Sequence, residues 1–299
     1  MIEKQYIPGN DRDVVVVEVG PRDGLQNERA EVPTAVKIAF VDALSAAGLP
    51  VIEVTSFVNP RLVPQLADAD AVMRGIARKP GVRYPVLVPN DRGLARALEA
   101  KVDAIALFTA ATDAFAEANV GVSIDETFAR FAPVMTRAQA AGLWVRGYIS
   151  VAFGCPYAGA VDSAAVAQVA ERLIAIGCDE ICLADTIGVA SPAAVRETVR
   201  SLRPAIALDR LALHFHDTAG TALENVDAAL DEGIRIFDAA AGGLGGCPFA
   251  PGAPGNLATE RLIERLDRSG LSTGVDGAGV AQAVAILAPH VASHESRVV

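Results

Sequence analysis

Short apolar runs rich in β-branched residues alternate along the chain with longer segments in which apolar residues recur at helical spacing. The runs predict strands and the longer segments predict helices, and the two follow one another eight times with no break in composition. The predicted strands lie at 14–19, 51–54, 84–88, 104–108, 143–149, 180–184, 211–215 and 234–237. The predicted helices lie at 33–48, 64–78, 92–100, 124–141, 162–177, 191–202, 223–232 and 257–268.

Eight strand–helix units in one series predict an α/β fold, a single (β/α)8 TIM barrel, and 299 residues suit one such barrel. The alternative, an open Rossmann-like sheet, carries a glycine fingerprint after its first strand, and segment 20–24 has the wrong pattern for it. We expect one barrel domain over 1–299, with the barrel itself at about 14–268. A C-terminal extension at about 270–299 holds a further helix at 280–288 that the pattern does not place.

Charge and composition limit the kinds of partner and the cellular location that this protein can have. The formal net charge of −10 argues against a nucleic-acid partner or an anionic membrane surface. No apolar run reaches the ~18 residues needed to span a bilayer. The four cysteines are scattered without a Cys-x-x-Cys pair, and the N-terminal segment resembles neither a signal nor a transit peptide. We therefore expect a protein of the reducing cytoplasm.

Two histidines stand two residues apart at the end of the seventh predicted strand. Residues i and i+2 of a strand project to the same side, so His214 and His216 leave one face together. Two buried imidazoles without partners would leave polar nitrogens unsatisfied, and a shared metal ion would satisfy both. A pair of ordinary hydrogen-bonded histidines is the alternative.

Other polar residues follow predicted strands, at the end of a barrel where catalytic groups lie. Asp23 follows the first strand, and Asn256 follows the eighth, so both are candidates to complete a mixed nitrogen and oxygen site with the histidines. Such ligands suit Mg²⁺ or Mn²⁺ better than a structural zinc site, although the ligands alone leave Zn²⁺ open. Asp23 is otherwise explained as a turn cap, and Arg22 as half of a surface ion pair or as the partner of the strand carboxylate Glu53.

A glycine- and proline-rich segment, 242–256, follows the eighth strand. Glycine permits close backbone approach and proline restricts the chain, which is typical of a lid over a barrel mouth. Cys247 within it is a candidate reactive thiol, and a passive loop with an incidental cysteine is the alternative.

These stretches together resemble the 3-hydroxy-3-methylglutaryl-CoA (HMG-CoA) lyase family. The Arg22-Asp23-Gly24 turn and the His-x-His pair also occur in related condensing enzymes, whereas the Gly-Leu-Gly-Gly-Cys-Pro loop at 243–248 is more specific to the lyases. The matching stretches occur in family order at 17–28, 52–57, 145–148, 185–188, 214–218, 243–249 and 255–260.

The resemblance implies a metal-dependent barrel that cleaves HMG-CoA to acetyl-CoA and acetoacetate by a retro-Claisen reaction, with an association into homodimers. Arg22 would bind the thioester oxygen, Glu53 would be a catalytic carboxylate, and Cys247 would be the loop cysteine required for full activity. For the mechanism, Glu53 and Asp185 are both candidates for the base, and Cys247 is the candidate donor of a proton to the enolate carbon. The implied metal ligands are Asp23, His214, His216 and Asn256, and the implied acyl-CoA contacts are Asn119 and Arg146.

One segment departs from the family. Where the family has Ser-Val-Ala-Gly, this chain has Ala240-Ala241-Gly242-Gly243, and the smaller side chains suggest a bulkier 3-hydroxy-3-alkylglutaryl-CoA as an alternative substrate. Two further hypotheses are an acetyl-CoA-dependent condensing enzyme and a non-catalytic barrel that binds acyl-CoA. The pathway stays open between leucine catabolism and another branched-carbon route.

Overall fold

Parallel strands form the centre of the molecule. The computed structural model describes residues 12–28, 30–245 and 255–291. The strands are β1 (Val15–Glu18), β2 (Val51–Ile52), β3 (Thr55–Ser56), β4 (Val86–Leu87), β5 (Ala104–Ala110), β6 (Trp144–Ser150), β7 (Glu180–Asp185), β8 (Leu211–Phe215) and β9 (Ile236–Ala239).

The sheet closes on itself through the segment that contains β2 and β3. β2 pairs with β1, β3 pairs with β4, and the remaining neighbours follow chain order until β9 pairs with β1. Between the two short strands, the Glu53 N–H donates to the Glu18 carbonyl at 2.8 Å and the Val54 N–H donates to the Pro85 carbonyl at 3.0 Å. β2 and β3 therefore act as one stave, and the predicted TIM barrel is confirmed.

Helices follow the strands around the barrel, and several begin at a side-chain cap. Ser123 forms a capping box with Glu126, while Asp162 and Ser191 accept hydrogen bonds from the first turns of their helices. No helix in the described ranges has both the length and the apolar composition to cross a membrane. The helices are α1 (Thr34–Ala46), α2 (Ala69–Gly75), α3 (Asp91–Glu99), α4 (Asp113–Val120), α5 (Ile124–Ala140), α6 (Ser163–Ala175), α7 (Pro192–Leu202), α8 (Ala222–Asp231), α9 (Thr259–Arg268) and α10 (Gly277–Leu287).

Two helices add to the sequence interpretation. The pattern predicts a loop where α4 lies, but Thr112 caps the first turn of this helix and Gly121, at φ 75°, ends it. α10 is the unplaced helix of the C-terminal extension, and it packs against α1. There the Asp276 N–H donates to the Ala47 carbonyl at 2.8 Å, and a Cβ at Gly279 would meet the Ala47 side chain at 2.9 Å.

Strand register decides which side chains enter the barrel. Residues paired across a parallel sheet share a face, and alternate residues along a strand take opposite faces. Ala184, His214 and Asp238 are paired across β7, β8 and β9, so they share the interior face. Asp185 is paired with Phe215 and therefore takes the opposite face, toward the helices.

A buried carboxylate at the end of β1 joins this strand to the chain on both sides of segment 246–254. Glu18 is fully buried, and its Oε1 accepts from the N–H groups of Gly20 at 2.8 Å and Ala241 at 2.9 Å. Its Oε2 accepts from the Thr259 hydroxyl at 2.6 Å. Burial raises the pKa of Glu18 to about 7, although these hydrogen bonds oppose the shift.

Glu18→Gln is expected to remove a pH dependence from folding stability. A carboxyl whose pKa rises from 4.5 to about 7 on folding stabilises the native state below pH 4.5, and this contribution falls as the pH rises to about 7. The stability of the wild type relative to the variant should thus fall by at most about 3 kcal/mol between these pH values. Urea unfolding at several pH values measures this difference, with the exposed Glu99→Gln as control. A pH-independent difference would contradict the assignment.

Candidate metal and substrate site

Three side chains meet at the C-terminal end of the strands. One potential ligand atom each from Asp23, His214 and His216 lies within 4.8 Å of the others. Both histidines are buried, and the His-x-His spacing places the two rings on one face with their centroids 5.3 Å apart. Burial, with the neighbouring His214, lowers the pKa of His216 to about 4, which keeps this imidazole neutral.

A π-helical turn after β1, Gly20–Gly24, presents Asp23 to this cluster. The N–H groups of Arg22, Asp23 and Gly24 all approach the Val19 carbonyl, at 3.2, 2.7 and 3.2 Å. Gly24 allows this turn to lie against Leu244, because a Cβ there would meet the Leu244 Cβ at 2.7 Å. The turn thereby directs two adjacent charged residues toward the barrel mouth.

Asn256 is brought beside the three clustered residues. Its amide nitrogen donates to Asp23 Oδ2 at 2.8 Å and to the Leu244 carbonyl at 3.0 Å. The backbone holds it there, since Asn256 forms an antiparallel bridge with His216. Two buried atoms of this group, Asn256 Oδ1 and His216 Nδ1, have no hydrogen-bond partner in the described part of the chain. A carboxylate, two imidazoles and an amide oxygen fit the donor set of a divalent metal.

A carboxylate that sequence analysis did not single out orients His214. Asp238 Oδ2 lies 3.2 Å from His214 Nδ1, so Nε2 is the ring nitrogen that this carboxylate does not contact. Asp238 Oδ1 in turn accepts from Arg146 Nη2 at 2.6 Å. Burial alone would lower the pKa of His214, but Asp238 outweighs it and raises this pKa above its ordinary value. The sequence signal for Asp238 is a carboxylate inside the apolar strand 236–239.

Arg22 is held between two carboxylates. Its Nε and Nη2 lie 2.9 and 2.7 Å from Glu53 Oε2, and its Nη1 donates to Asp23 Oδ1 at 2.6 Å. Burial alone would lower the pKa of Arg22, but the two carboxylates outweigh it and raise this pKa. The same guanidinium outweighs the effect of burial on Asp23 and lowers the pKa of that carboxyl. A guanidinium has five N–H donors, so two of them remain for a ligand.

Below this layer, Arg146 fills the barrel interior and does not reach the cavity. It is 1% exposed, and its nearest carboxylates are Asp238 at 2.6 Å and Glu180 at 2.8 Å. It also donates to the Tyr148 hydroxyl at 2.8 Å, and that hydroxyl donates to Glu53 Oε2 at 3.2 Å. Arg146 is thus not among the described residues that line the cavity, although it is predicted to contact the acyl-CoA, and it supports side chains at the site through Tyr148 and Asp238.

The remaining predicted site residues, Asp185, Asn119 and Cys247, do not all lie at the metal cluster. Asp185, on the outward face of β7, accepts from the N–H groups of Val189 at 2.9 Å and Ala190 at 3.0 Å, and burial raises its pKa to about 6. The structure therefore does not bring Asp185 into the cluster. Asn119 lines the cavity mouth at the end of α4. Cys247 lies outside the described residues.

A cavity of about 700 Å³ opens above the cluster. Its inner end is polar and buried, with Arg22, His214 and His216 among the lining residues. The rim includes the exposed side chains of Leu62 and Tyr157, at 74% and 55% exposure. The apolar wall of the cavity includes Val58, Leu87, Phe108, Phe115 and Phe131. A polar inner end and an apolar channel suit a ligand with a polar head on a long apolar arm.

The departure at 240–243 lies behind the cavity. Ala240 and Ala241 are fully buried, and none of the four residues lines the cavity in the described structure. Gly242, at φ 67°, faces α10, where a Cβ would meet Val284 at 3.1 Å. The smaller side chains therefore accommodate α10, and the expectation that they enlarge the mouth for a bulkier substrate is not supported.

Comparisons with known proteins agree with this geometry. The HMGL-like family model matches residues 13–286. The mitochondrial hydroxymethylglutaryl-CoA lyase of Mus musculus is 51% identical over 265 residues, which cover 89% of this chain and 82% of that protein.

Solved structures show the same similarity. The hydroxymethylglutaryl-CoA lyase of Pseudomonas aeruginosa has a TM-score of 0.93 and 47% identity, and the match covers 96% of each chain. An HMG-CoA lyase of Acinetobacter baumannii, in complex with coenzyme A and 3-methylmalate, has a TM-score of 0.89 and 38% identity over 98% of this chain and 96% of that one. The chain therefore belongs to the HMGL-like family and, within it, to the HMG-CoA lyases.

Proposed function

We propose that this carbon–carbon lyase cleaves HMG-CoA to acetyl-CoA and acetoacetate in a metal-dependent retro-Claisen reaction. The observation that carries the proposal is the convergence of Asp23, His214 and His216 with Arg22 at the buried end of an apolar cavity. Relatives named HMG-CoA lyase support the substrate, and the coenzyme A in the A. baumannii structure supports an acyl-CoA ligand.

The balance of buried charge supports a divalent cation. Two arginines and four carboxylates lie buried or nearly buried in and above the barrel interior, so negative groups outnumber positive ones by two. Isolated buried charge is costly, and a divalent cation at Asp23, His214, His216 and Asn256 would offset the difference. We propose Mg²⁺ or Mn²⁺ because the donors are nitrogen and oxygen. The charged groups are Arg22, Arg146, Asp23, Glu53, Glu180 and Asp238.

The metal, when bound, would polarise the C3 hydroxyl of the substrate and lower its pKa. Arg22 then directs its two remaining N–H donors at the thioester oxygen, where negative charge develops as the carbon–carbon bond breaks. Glu53 fixes the Arg22 guanidinium through Oε2 and thereby sets the direction of these donors.

Of the two carboxylates considered as the base, Glu53 is the better placed. Its Oε1 is buried without a hydrogen-bond partner in the described residues, and burial raises its pKa despite the nearby Arg22. Both oxygens of Asp185 already accept backbone N–H groups on the outer face of the barrel. Neither carboxylate lines the cavity, so the base stays a prediction, and we assign Glu53 the positioning of Arg22 and Asp185 an organising role in the 186–190 turn.

We further propose a cytoplasmic location. Cys155, Cys178 and Cys182 are free and buried, which suits a reducing compartment. A homodimer remains a prediction from the family resemblance.

No contact in the described structure favours the condensing reaction. Incubation of the protein with acetyl-CoA and an α-keto acid would reveal that reaction by the release of free thiol.

A coupled assay of acetyl-CoA release from HMG-CoA tests the reaction and the cofactor together. After chelation, we expect no release, and addition of Mg²⁺ or Mn²⁺ should restore it. Equal rates with and without chelator would refute metal dependence, and no release by metal-loaded protein would refute the proposed reaction.

Arg22→Gln is expected to lower kcat by about 10²–10³, the usual effect of losing one donor to a developing oxyanion. Steady-state kinetics measures kcat, while the thermal midpoint and elemental analysis establish that the variant is folded and loaded with metal. Wild-type turnover in a loaded variant would remove Arg22 from the reaction.

Asp238→Asn is expected to weaken Mn²⁺ binding by about 10–100-fold, because the carboxylate no longer orients the His214 ring. Titration calorimetry of the metal-free protein with Mn²⁺ measures the dissociation constant. Glu180→Gln is the matched control, since it breaks the other ion pair of Arg146 without touching His214. Equal affinities in the two variants would show that Asp238 has no specific effect on the metal site.

A further inference from the structure

The cavity lining carries a different charge from the chain as a whole. The chain has a net charge of −10, yet Asp23 is the one carboxylate among the described lining residues, beside two arginines, Arg22 and Arg130. A cleft lined by one sign of charge concentrates ligands of the opposite sign. The lining therefore favours an anion, even though the protein is acidic.

The two arginines differ in whether carboxylates already pair with them. Arg22 is buried and paired with Glu53 and Asp23. Arg130 is exposed and forms no ion pair with any carboxylate of the described residues, and its Nη1 reaches only the Val120 carbonyl, at 3.4 Å. Arg137, two turns further along α5, is paired with Asp91 at 2.5 Å. Arg130 is thus a lining guanidinium whose charge is available to a ligand.

The position of Arg130 along the cavity follows from the face of α5. Thr127, Arg130 and Phe131 are three and four residues apart, so they share one face, and all three line the cavity. Thr127 and Phe131 are buried, whereas Arg130 is exposed, as is Asn119 at the end of α4. Arg130 therefore lies at the exposed rim of the cavity, whereas the histidines of the metal cluster lie at its buried end.

We propose that Arg130 recognises a phosphate group of the CoA moiety at the rim of the cavity. This inference rests on the proposed function, which places the acyl group at Asp23 and the histidines. The pantetheine arm then follows the apolar wall, and the nucleotide, with its diphosphate and 3′-phosphate, emerges at the exposed end. A guanidinium presents paired N–H donors that match phosphate oxygens, and the Asn119 amide adds a neutral donor beside it.

The test combines a substitution in the enzyme with the removal of phosphate groups from the substrate. Arg130→Gln is compared with wild type on HMG-CoA, on its 3′-dephospho analogue and on the pantetheine thioester, which has no phosphate. For HMG-CoA, KM should rise about tenfold with kcat unchanged, because a charge-assisted hydrogen bond made equally in ground and transition states is lost. For the pantetheine thioester, the variant and the wild type should have equal KM.

The dephospho analogue identifies which phosphate is bound. If the variant still raises KM with this analogue, the partner is the diphosphate, and if the effect disappears, it is the 3′-phosphate. Arg137→Gln, on the same helix but outside the cavity lining, is the control and should match wild type on all three substrates.

Direct binding separates this proposal from the reaction itself. Calorimetric dissociation constants for free CoA and free pantetheine require no turnover, and Arg130→Gln should weaken only CoA, about tenfold. Unchanged CoA affinity, or equal weakening of CoA and pantetheine, would overturn the role of Arg130. Loss of HMG-CoA cleavage in the wild type would refute the proposed reaction instead, and the binding data would still decide the phosphate contact.

Discussion

The site depends on charge buried inside the barrel. Arg146 cannot be hydrated there, so it needs partners inside the protein: Asp238 and Tyr148 accept its hydrogen bonds, and Glu180 forms an ion pair with it. Two of these partners also contact residues of the site. Asp238 orients His214, and Tyr148 donates a hydrogen bond to Glu53, the carboxylate that holds Arg22. Because removing one member leaves another buried group unpaired, the network fixes the ring and the guanidinium before any ligand arrives.

Much of this arrangement could be predicted from sequence. Alternating strand and helix patterns indicate the barrel, because eight repetitions of one unit leave few competing folds. The His-x-His spacing places two side chains on one face, since strand periodicity is local information. Asp23 could be placed at the same end of the barrel because it directly follows a strand, and the structure brings it within 4.8 Å of the histidine ligand atoms.

The remaining assignments required strand register, which local sequence does not contain. Asp185 and His214 both occupy strand ends, but the pairing of β7 with β8 puts Asp185 on the outward face. The same register places Asp238 beside His214 and makes Arg146 an interior residue rather than a cavity residue. A shift of one residue in strand register moves a side chain to the opposite face of the sheet. A polar residue near a strand end is therefore only a candidate for the site until the register is known.

Location also decides how a departure from a family motif is interpreted. The segment 240–243 overlaps the start of the glycine- and proline-rich segment 242–256 in sequence, yet its residues contact β1, α9 and α10 in space, and Gly242 allows close approach of Val284. The smaller residue at position 242 affects packing against the C-terminal helix, whereas substrate selection depends on groups that line the cavity. In the proposed reaction the acyl group would be selected at the inner end and the CoA moiety at the rim, where Arg130 offers positive charge that the chain as a whole lacks.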